Sequence, residues 1–293
     1  MILVTAAYGH QGQLLIPKLA AAGYRIRAAR ASAGKDEELK RLGATEVFVG
    51  DLSDPEVYAR AAEGIDAIYH VGPAAVREEK AMGLAMIEAA KKAGVRHVVY
   101  SAVLHPIIDI IQHRYKRDVE EKLAQSRLKY TVLKPCDYMM PEVYIQPVFE
   151  TGVFTVFWNI ERGRGSLVDI NDLTDVGLKV LCEGEKHYYA SYELVGPDKL
   201  TAYEVARILS RVMGKDVKAQ EKTPEDLFKL LYGTDSPGDH LHHEISIMRS
   251  ICKWYSANEF VGNPNVLTWL LGRPPTSFEQ FATKAFAGWK NKR

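Results

Sequence analysis

The chain has 293 residues, 47% of them hydrophobic, and a formal net charge of +1 from 38 basic and 37 acidic side chains. A chain of this length and apolar content can bury a full core as one large domain, or as one domain with a smaller companion. The balanced charge implies no single-sign field, so it indicates neither nucleic acid nor an anionic membrane as a partner.

The spacing of the cysteines and the length of the apolar runs indicate the cellular compartment. Cys136, Cys182 and Cys252 are odd in number and far apart, which favours reduced thiols over a disulfide framework. No uninterrupted apolar stretch is long enough to span a bilayer, and Met1 already begins a strand instead of a leader peptide. We therefore expect a cytoplasmic protein that does not associate with membranes.

The chain starts with a strand, a glycine-containing turn and a helix, predicted at residues 1–5, 6–12 and 14–22. Free backbone N–H groups and the macrodipole at a helix N-terminus favour an anion. Gly9 lets the backbone approach a pyrophosphate, and Gly12 lets the helix pack closely on the strand. Ala6 replaces the first glycine of a G-x-x-G-x-x-G spacing, so we expect this turn to avoid positive φ. The predicted cofactor contacts in this segment are Ala6, Tyr8, Gly9, His10, Gln11 and Gly12.

Strands and helices then alternate up to residue 135. Strands are predicted at 24–29, 45–49, 65–71, 95–100 and 130–133, and helices at 36–42, 55–63, 76–93 and 113–125. Asp54 and Pro55 form an N-cap and a first helical residue. Apolar strands separated by such helices predict a doubly wound parallel α/β sheet of the Rossmann type.

Ligand contacts in such a sheet follow the carboxyl ends of the strands. The end of the second strand bears Arg30, followed by Ser32 and Lys35, and no carboxylate. A guanidinium favours a 2′-phosphate, so NADP is preferred over NAD, although Arg30 could also line a solvated strand end. The further predicted contacts at strand ends are Asp51, Leu52, Gly72, Pro73, Ser101, Pro135 and Cys136.

The C-terminal half predicts a mixed arrangement. Short strands are expected at 154–158, 166–168 and 192–195, and Asp172 is expected to cap a helix that ends near residue 181. Capping boxes are predicted at Thr201–Glu204 and Thr276–Glu279. The aromatic side chains of this half could line an apolar pocket, but they are more typical of a core.

A histidine cluster at residues 240–244 could in principle bind a metal ion. His240, His242 and His243 spread around a helix, and no cysteine lies near them in the sequence. Zinc needs ligands that converge on one point. We therefore predict no metal site, and favour a substrate-pocket or surface role for this cluster.

Several segments together resemble the NmrA-like branch of the atypical short-chain dehydrogenases, which includes isoflavone-reductase-like enzymes, quinone reductases and NADP-sensing regulators. The segments are residues 4–12, 50–55, 89–101, 130–135 and 270–279. The resemblance implies an NADP-binding domain over residues 1–135 and a smaller substrate-binding region over residues 136–293, closely packed together. It does not imply a reaction, because the family includes both reductases and catalytically silent sensors.

Lys116 falls where the family has its active-site lysine, but Gln112 stands where the usual tyrosine of Tyr-x-x-x-Lys would be. Lys116 could polarise a substrate by itself or only bind the cofactor ribose. Other groups that could donate a proton are Tyr138, His113 and Tyr115, in that order, and Ser101 could hydrogen-bond substrate or nicotinamide.

The sequence thus favours an NADPH-dependent reductase of a small aromatic or conjugated carbonyl compound. The missing tyrosine keeps two alternatives open: a non-catalytic NADP-binding regulator, and a redox-neutral enzyme on the same fold. The expected partner is a small-molecule substrate, and a homodimer or a regulatory protein partner stays open.

Overall fold

The computed structural model describes residues 1–73, 76–234, 238 and 241–291. The chain divides into two compact units. The first contains Met1–Ile108, Gln112–Pro135 and Ile170–Glu193, and the second contains Asp109–Ile111, Cys136–Asp169 and Leu194–Arg293. Residues 170–193 therefore belong with the unit that carries the first strand of the chain.

The elements of the described residues follow in chain order. The strands are β1 (Ile2–Val4), β2 (Ile26–Arg30), β3 (Glu46–Val49), β4 (Ala67–Val71), β5 (His97–Ser101), β6 (Tyr130–Pro135), β7 (Asp137–Met139), β8 (Val153–Val156), β9 (Arg164–Asp169), β10 (Ala190–Leu194), β11 (Lys199–Thr201) and β12 (Lys218–Glu221). The helices are α1 (His10–Ala21), α2 (Asp36–Arg41), α3 (Pro55–Ala62), α4 (Glu79–Ala93), α5 (Ile111–Ala124), α6 (Pro141–Tyr144), α7 (Gln146–Thr151), α8 (Ile170–Glu183), α9 (Ala202–Met213), α10 (Pro224–Tyr232), α11 (His242–Ala257), α12 (Asn265–Leu271) and α13 (Phe278–Lys290).

The first unit is built on a seven-stranded sheet of order β10-β6-β5-β4-β1-β2-β3. Strands β1 to β6 pair in parallel, so the predicted doubly wound α/β fold is confirmed. The strand order reverses between β1 and β4, and ligands of such sheets bind outside the carboxyl ends of the strands at this point. The segments after β1 and β4 therefore form the expected ligand-binding edge.

The central strands of this sheet are buried on both faces. Leu3 of β1, Ile68 of β4 and Val98 of β5 have no exposed surface, as expected of a parallel sheet covered by helices. Helix α8 is fastened to α1 by Lys18, whose Nζ lies 2.6 Å from an Asp175 carboxylate oxygen and 2.7 Å from Thr174 Oγ1. These contacts fix the helices that flank the binding edge.

Two helix starts in this unit confirm or correct the sequence predictions. The Asp54 carboxylate accepts a hydrogen bond from the Glu56 N–H at 2.8 Å, so the predicted cap of α3 is confirmed. Helix α4 begins at Glu79 and not at residue 76. Residues 76–78 include no Ser, Thr, Asp or Asn that could cap an earlier start.

The second unit contains a three-stranded sheet of order β11-β9-β7 and a two-stranded sheet of β12 and β8. The capping box of α9 at Thr201 and Glu204 is confirmed. The capping box of α13 was predicted one residue too early, because Ser277 and Gln280 form it. In that arrangement Phe278, which is fully buried, becomes the first helical residue.

The predicted cap at Asp172 is wrong. Helix α8 already begins at Ile170, and Asp172 is a buried residue inside its first turn. The apolar face of the helix starts with Ile170 and Leu173, so burial of this face, not the capping preference of Asp172, sets the start. In the part of the chain that the structure describes, no helix is both long and apolar enough to cross a membrane.

Candidate functional site

The turn after β1 adopts a conformation that the sequence did not predict. Ala6 has a φ of 47°, in the left-handed region, so the prediction that this turn avoids positive φ is wrong. The turn closes through a 2.8 Å hydrogen bond from the Gly9 N–H to the Ala6 carbonyl, and the Ala7 N–H is bonded to Ala29 of β2. These backbone bonds compensate the steric cost of an alanine at positive φ.

Gly12 lies where this turn meets helix α1. A Cβ added to Gly12 would lie 2.3 Å from the Ala7 carbonyl oxygen and 2.7 Å from the Ala7 Cα. A Cβ on Gly9 would lie 3.0 Å from the Ala6 oxygen. The absence of side chains thus lets the turn fold tightly onto the start of α1, whose first N–H groups lack intrahelical acceptors and favour an anion.

Arg30 ends β2 beside this turn. Its guanidinium carbon lies 5.6 Å from the centre of the Tyr8 ring, and its Nη2 donates to Ser32 Oγ at 3.2 Å. The Nε and Nη1 atoms are buried and have no hydrogen-bond partner among the described residues. Unpaired buried donors of a guanidinium are costly, and an anion with several oxygens would satisfy them.

Lys35 and the residues that follow β3 lie at the same side of the ligand-binding edge as Arg30. The Lys35 ammonium lies 5.2 Å from the centre of the Tyr8 ring, and Glu38 is its ion-pair partner at 3.1 Å. The Asp51 carboxylate accepts hydrogen bonds from Ser53, which lower the pKa of Asp51. Leu52 is buried in the core. Tyr8, Arg30 and Lys35 are thus brought together, whereas Leu52 packs inside the unit.

Gln11 has its side chain in the protein interior. Its amide nitrogen donates to Ser101 Oγ at 3.0 Å, and its amide oxygen accepts from the Tyr69 hydroxyl at 2.7 Å. Tyr69 in turn packs against Gly177 of α8, where a Cβ would lie 3.0 Å from the ring. Gln11 therefore links the turn to β4 and β5 and orients Ser101, which is 2% exposed.

Lys116 forms a buried ion pair with Glu79. Their side chains are 11% and 2% exposed. Glu79 lies against the end of β4, since a Cβ on Gly72 would be 3.4 Å from the Glu79 Cγ. The pair therefore lies near the carboxyl edge of the sheet, where the topology predicts a ligand. Glu79 is not among the residues predicted from the sequence, because it lies eight positions after the last residue of β4.

Further titratable groups surround this ion pair. His70 of β4 is fully buried, and burial together with the charge of Lys116 lowers the pKa of His70 to about 3. Glu120 lies one turn after Lys116 and is paired with Lys134 of β6 at 2.9 Å. Burial raises the pKa of Glu120, although Lys134 and Lys116 oppose that shift. The edge near Lys116 is therefore a buried and highly charged region.

His113 and Tyr115 flank Lys116 on α5. His113 is 1% exposed, and burial lowers the pKa of His113 to about 4. Its Nδ1 lies 3.0 Å from the His105 carbonyl oxygen, so the neutral ring donates to the backbone there. Tyr115 is half-buried. A neutral, buried imidazole is a weaker candidate for a proton donor at neutral pH than an exposed one.

Three predicted positions lie at or just after the end of β6, which is Pro135. The carbonyl of Pro135 accepts a hydrogen bond from the Leu104 N–H at 2.8 Å. Cys136 and Tyr138 belong to the second unit. Burial raises the pKa of the Cys136 thiol, and Tyr138 pairs with Val168 of β9.

The second unit has its own cleft, with a volume of about 500 Å³. Phe157 and Trp158 line it, together with Cys252 and charged residues of α11 and of the segment before α10. Trp158 also lines a smaller neighbouring pocket, together with Tyr255 and Phe260. Trp269 is 73% exposed.

No group of three His, Cys, Asp or Glu residues in the described ranges is arranged to hold a metal ion. His242 and His243 begin helix α11. His240, the first member of the predicted cluster, lies outside the described residues.

The fold is that of a doubly wound α/β protein, whose ligand-binding edge is expected at the point where the strand order reverses. Residues 1–262 match the model of the NmrA-like family. The chain belongs to this family.

Several characterised proteins are similar to the chain. It is 27% identical over 285 residues to the NAD(P)H azoreductase of Xenophilus azovorans, with 96% of each chain covered. It is 26% identical over 246 residues to quinone oxidoreductase 2 of Escherichia coli, covering 81% of this chain and 83% of that protein. The crystal structure of Citrobacter sp. triphenylmethane reductase complexed with NADP(H) has the same fold, with a TM-score of 0.76 at 24% identity over 97% of this chain and 99% of that one.

Proposed function

We propose that this protein is an NADPH-dependent reductase of a small aromatic or conjugated carbonyl compound. The cofactor assignment depends mainly on Arg30, whose Nε and Nη1 are buried and have no hydrogen-bond partner among the described residues. Arg30 lies beside the turn after β1, where Gly12 leaves no room for a Cβ. Both features fit a dinucleotide with a 2′-phosphate. The names of the relatives, an NAD(P)H azoreductase and a quinone oxidoreductase, support reduction as the reaction class.

Each group of residues has a separate task in this proposal. The turn around Gly9 and Gly12 and the start of α1 hold the pyrophosphate, and Arg30 with Lys35 holds the 2′-phosphate. When bound, the reduced nicotinamide supplies the hydride. The Lys116 ammonium then stabilises the negative charge that develops on the substrate oxygen, and it can donate a proton there. Ser101, oriented by Gln11, provides a hydroxyl near the same edge.

A turnover assay tests this proposal. The purified protein is incubated with NADPH and a panel of quinones, enones and aromatic carbonyl compounds, and the loss of reduced nicotinamide absorbance is followed. We expect oxidation that depends on the organic substrate. Tight NADPH binding without oxidation by any member of the panel would contradict the proposal.

One observation favours a second function, that of a non-catalytic NADP-binding regulator. Gln112 stands one helical turn before Lys116, and an amide cannot act as the phenolic acid that a tyrosine there would provide. Binding without turnover in the assay above is the result that this second function predicts.

The preference for NADPH depends on Arg30. NADPH should bind at least about tenfold more tightly than NADH, and Arg30→Ala should remove this difference, a loss of about 1.4 kcal/mol. The physical reason is the loss of charge-assisted hydrogen bonds to the 2′-phosphate. Calorimetric titration of both cofactors measures the effect. Arg25→Ala, an exposed arginine just before β2, is the matched control, and equal affinities in the native protein would disprove the role of Arg30.

A further inference from the structure

Glu79 is a buried carboxylate that the proposed function does not yet use. It is the first residue of α4, and its side chain is 2% exposed. Carboxylates are rarely so buried unless they are paired. A structural role is available, because Glu79 neutralises Lys116 and suits the positive end of the α4 macrodipole.

The position of Glu79 is fixed by close packing between α4 and α5. A Cβ on Gly83 would lie 2.5 Å from Val119 Cγ2, so a glycine is needed for the two helices to approach. One residue after Glu79, the more exposed Lys80 forms a second ion pair across the helices, 2.6 Å from Asp118, which adds little to this packing. The carboxylate of Glu79 is therefore held in place before any ligand binds.

The hydrogen-bonding capacity of this carboxylate is largely unused. An ionised carboxylate can accept about four hydrogen bonds. Oε1 forms the ion pair with the Lys116 ammonium, and Oε2 has no hydrogen-bond partner among the described residues. The titratable groups around this ion pair are Tyr100 of β5, which interacts with Glu79, and His70 of β4, His113 and Glu120 of α5 and Lys134 of β6. An unsatisfied buried acceptor is costly, so Oε2 points to a hydrogen-bond donor from a ligand.

The sheet topology indicates which half of the dinucleotide is near Glu79. Arg30 at the end of β2 marks the adenosine 2′-phosphate, and the turn after β1 marks the pyrophosphate. The dinucleotide crosses the reversal of strand order between β1 and β4, so its nicotinamide half belongs on the β4 side. Glu79 lies against Gly72, directly after β4.

We propose that Glu79 is a cofactor-contact residue for the nicotinamide half of NADP. Its carboxylate accepts a hydrogen bond from a neutral donor of the nicotinamide nucleoside, either a ribose hydroxyl or the carboxamide N–H, and remains paired with Lys116. This inference rests on the proposed NADP site.

Binding of the whole cofactor and of its adenosine half distinguishes this role from a structural one. We expect Glu79→Gln to weaken NADPH binding by about tenfold, since bonds to charged acceptors are stronger than bonds to neutral ones. Binding of 2′,5′-ADP, which lacks the nicotinamide nucleoside, should change by less than about twofold. Calorimetric titration measures both. Glu88→Gln, a 60% exposed residue of the same helix, is the control and should change neither affinity.

Two further measurements separate the proposed contact from an effect on folding and identify the donor group of the cofactor. Glu79→Asp keeps the negative charge beside Lys116 and so preserves the fold. Its side chain is shorter by one methylene, which moves the carboxylate oxygens away from the cofactor. It should therefore also weaken NADPH binding without weakening 2′,5′-ADP binding. With the 3-acetylpyridine analogue of NADP, which lacks the carboxamide N–H, a persisting effect of Glu79→Gln identifies a ribose hydroxyl, and a vanished effect identifies the carboxamide.

The outcomes separate this inference from the proposed function. A folded Glu79→Gln protein that binds NADPH like the native protein, or that loses affinity for NADPH and 2′,5′-ADP equally, would overturn the role of Glu79 alone. Native protein that binds neither ligand would instead overturn the NADP site itself. Circular dichroism and thermal unfolding establish that each variant is folded.

Discussion

Lys116→Ala is expected to reduce turnover of NADPH with quinones or enones by about 100-fold or more, the scale for loss of one positioned polarising group. The ammonium is held by Glu79 at the carboxyl edge of the sheet, where negative charge on a reduced carbonyl would develop. NADPH affinity should fall much less, because the contacts to the pyrophosphate and the 2′-phosphate remain. Steady-state kinetics and calorimetric titration measure the two effects separately.

The control for this variant is Lys80→Ala, which breaks the neighbouring ion pair between the same two helices. It should leave turnover nearly unchanged, because Lys80 is 43% exposed and such pairs contribute little. Turnover that persists in a folded Lys116→Ala protein would indicate that Tyr138, His113 or Tyr115 donates the proton instead. Of these, His113 is buried and already donates from Nδ1 to a backbone carbonyl.

Gly12→Val is expected to weaken NADPH binding by about 100-fold or more. A Cβ at this position would lie 2.3 Å from a carbonyl oxygen of the turn, so the turn and the start of α1 must move apart. The pyrophosphate contacts depend on that approach. The same displacement should lower the melting temperature. The added Cβ meets backbone atoms of Ala7, which cannot move aside as the end of a flexible side chain can.

Gly165→Val is the matched control for this substitution. Gly165 lies in β9, and a Cβ there meets nothing within 4 Å. Because valine suits a strand, this variant should keep both NADPH affinity and thermal stability. A folded Gly12→Val protein with native NADPH affinity would show that the turn after β1 is not the phosphate site.

Local signals in the sequence predicted most of the first unit. Periodic apolar residues and the cap at Asp54 act within a few residues, and they placed the strands of the parallel sheet and the start of α3 correctly. The errors arose where tertiary contacts outweigh local preference. Ala6 takes a positive φ because two backbone hydrogen bonds hold the turn, one from the Gly9 N–H to the Ala6 carbonyl and one from the Ala7 N–H to the Ala29 carbonyl. Ser277, not Thr276, caps α13 because Phe278 must be buried.

The candidate site was predictable in part. Arg30 ends β2 and the glycines lie in the turn after β1 and the first turn of α1, and strand ends of a parallel sheet meet at one edge. Glu79 could not be found this way, because its position depends on how α4 packs against α5 through Gly83. The inward orientation of Gln11, which bonds to Ser101 ninety residues later in the chain, likewise depends on contacts that no local pattern specifies.

The most direct test of the proposed function is the fate of the hydride. NADPH that carries deuterium at both C4 positions of the nicotinamide is incubated with the protein and each quinone or enone of the panel, and the products are examined by mass spectrometry and NMR. For an enone, we expect deuterium bound to carbon in the reduced product, with stoichiometric formation of NADP. Bound NADPH that keeps its label, with no reduced product from any substrate tried, would contradict it.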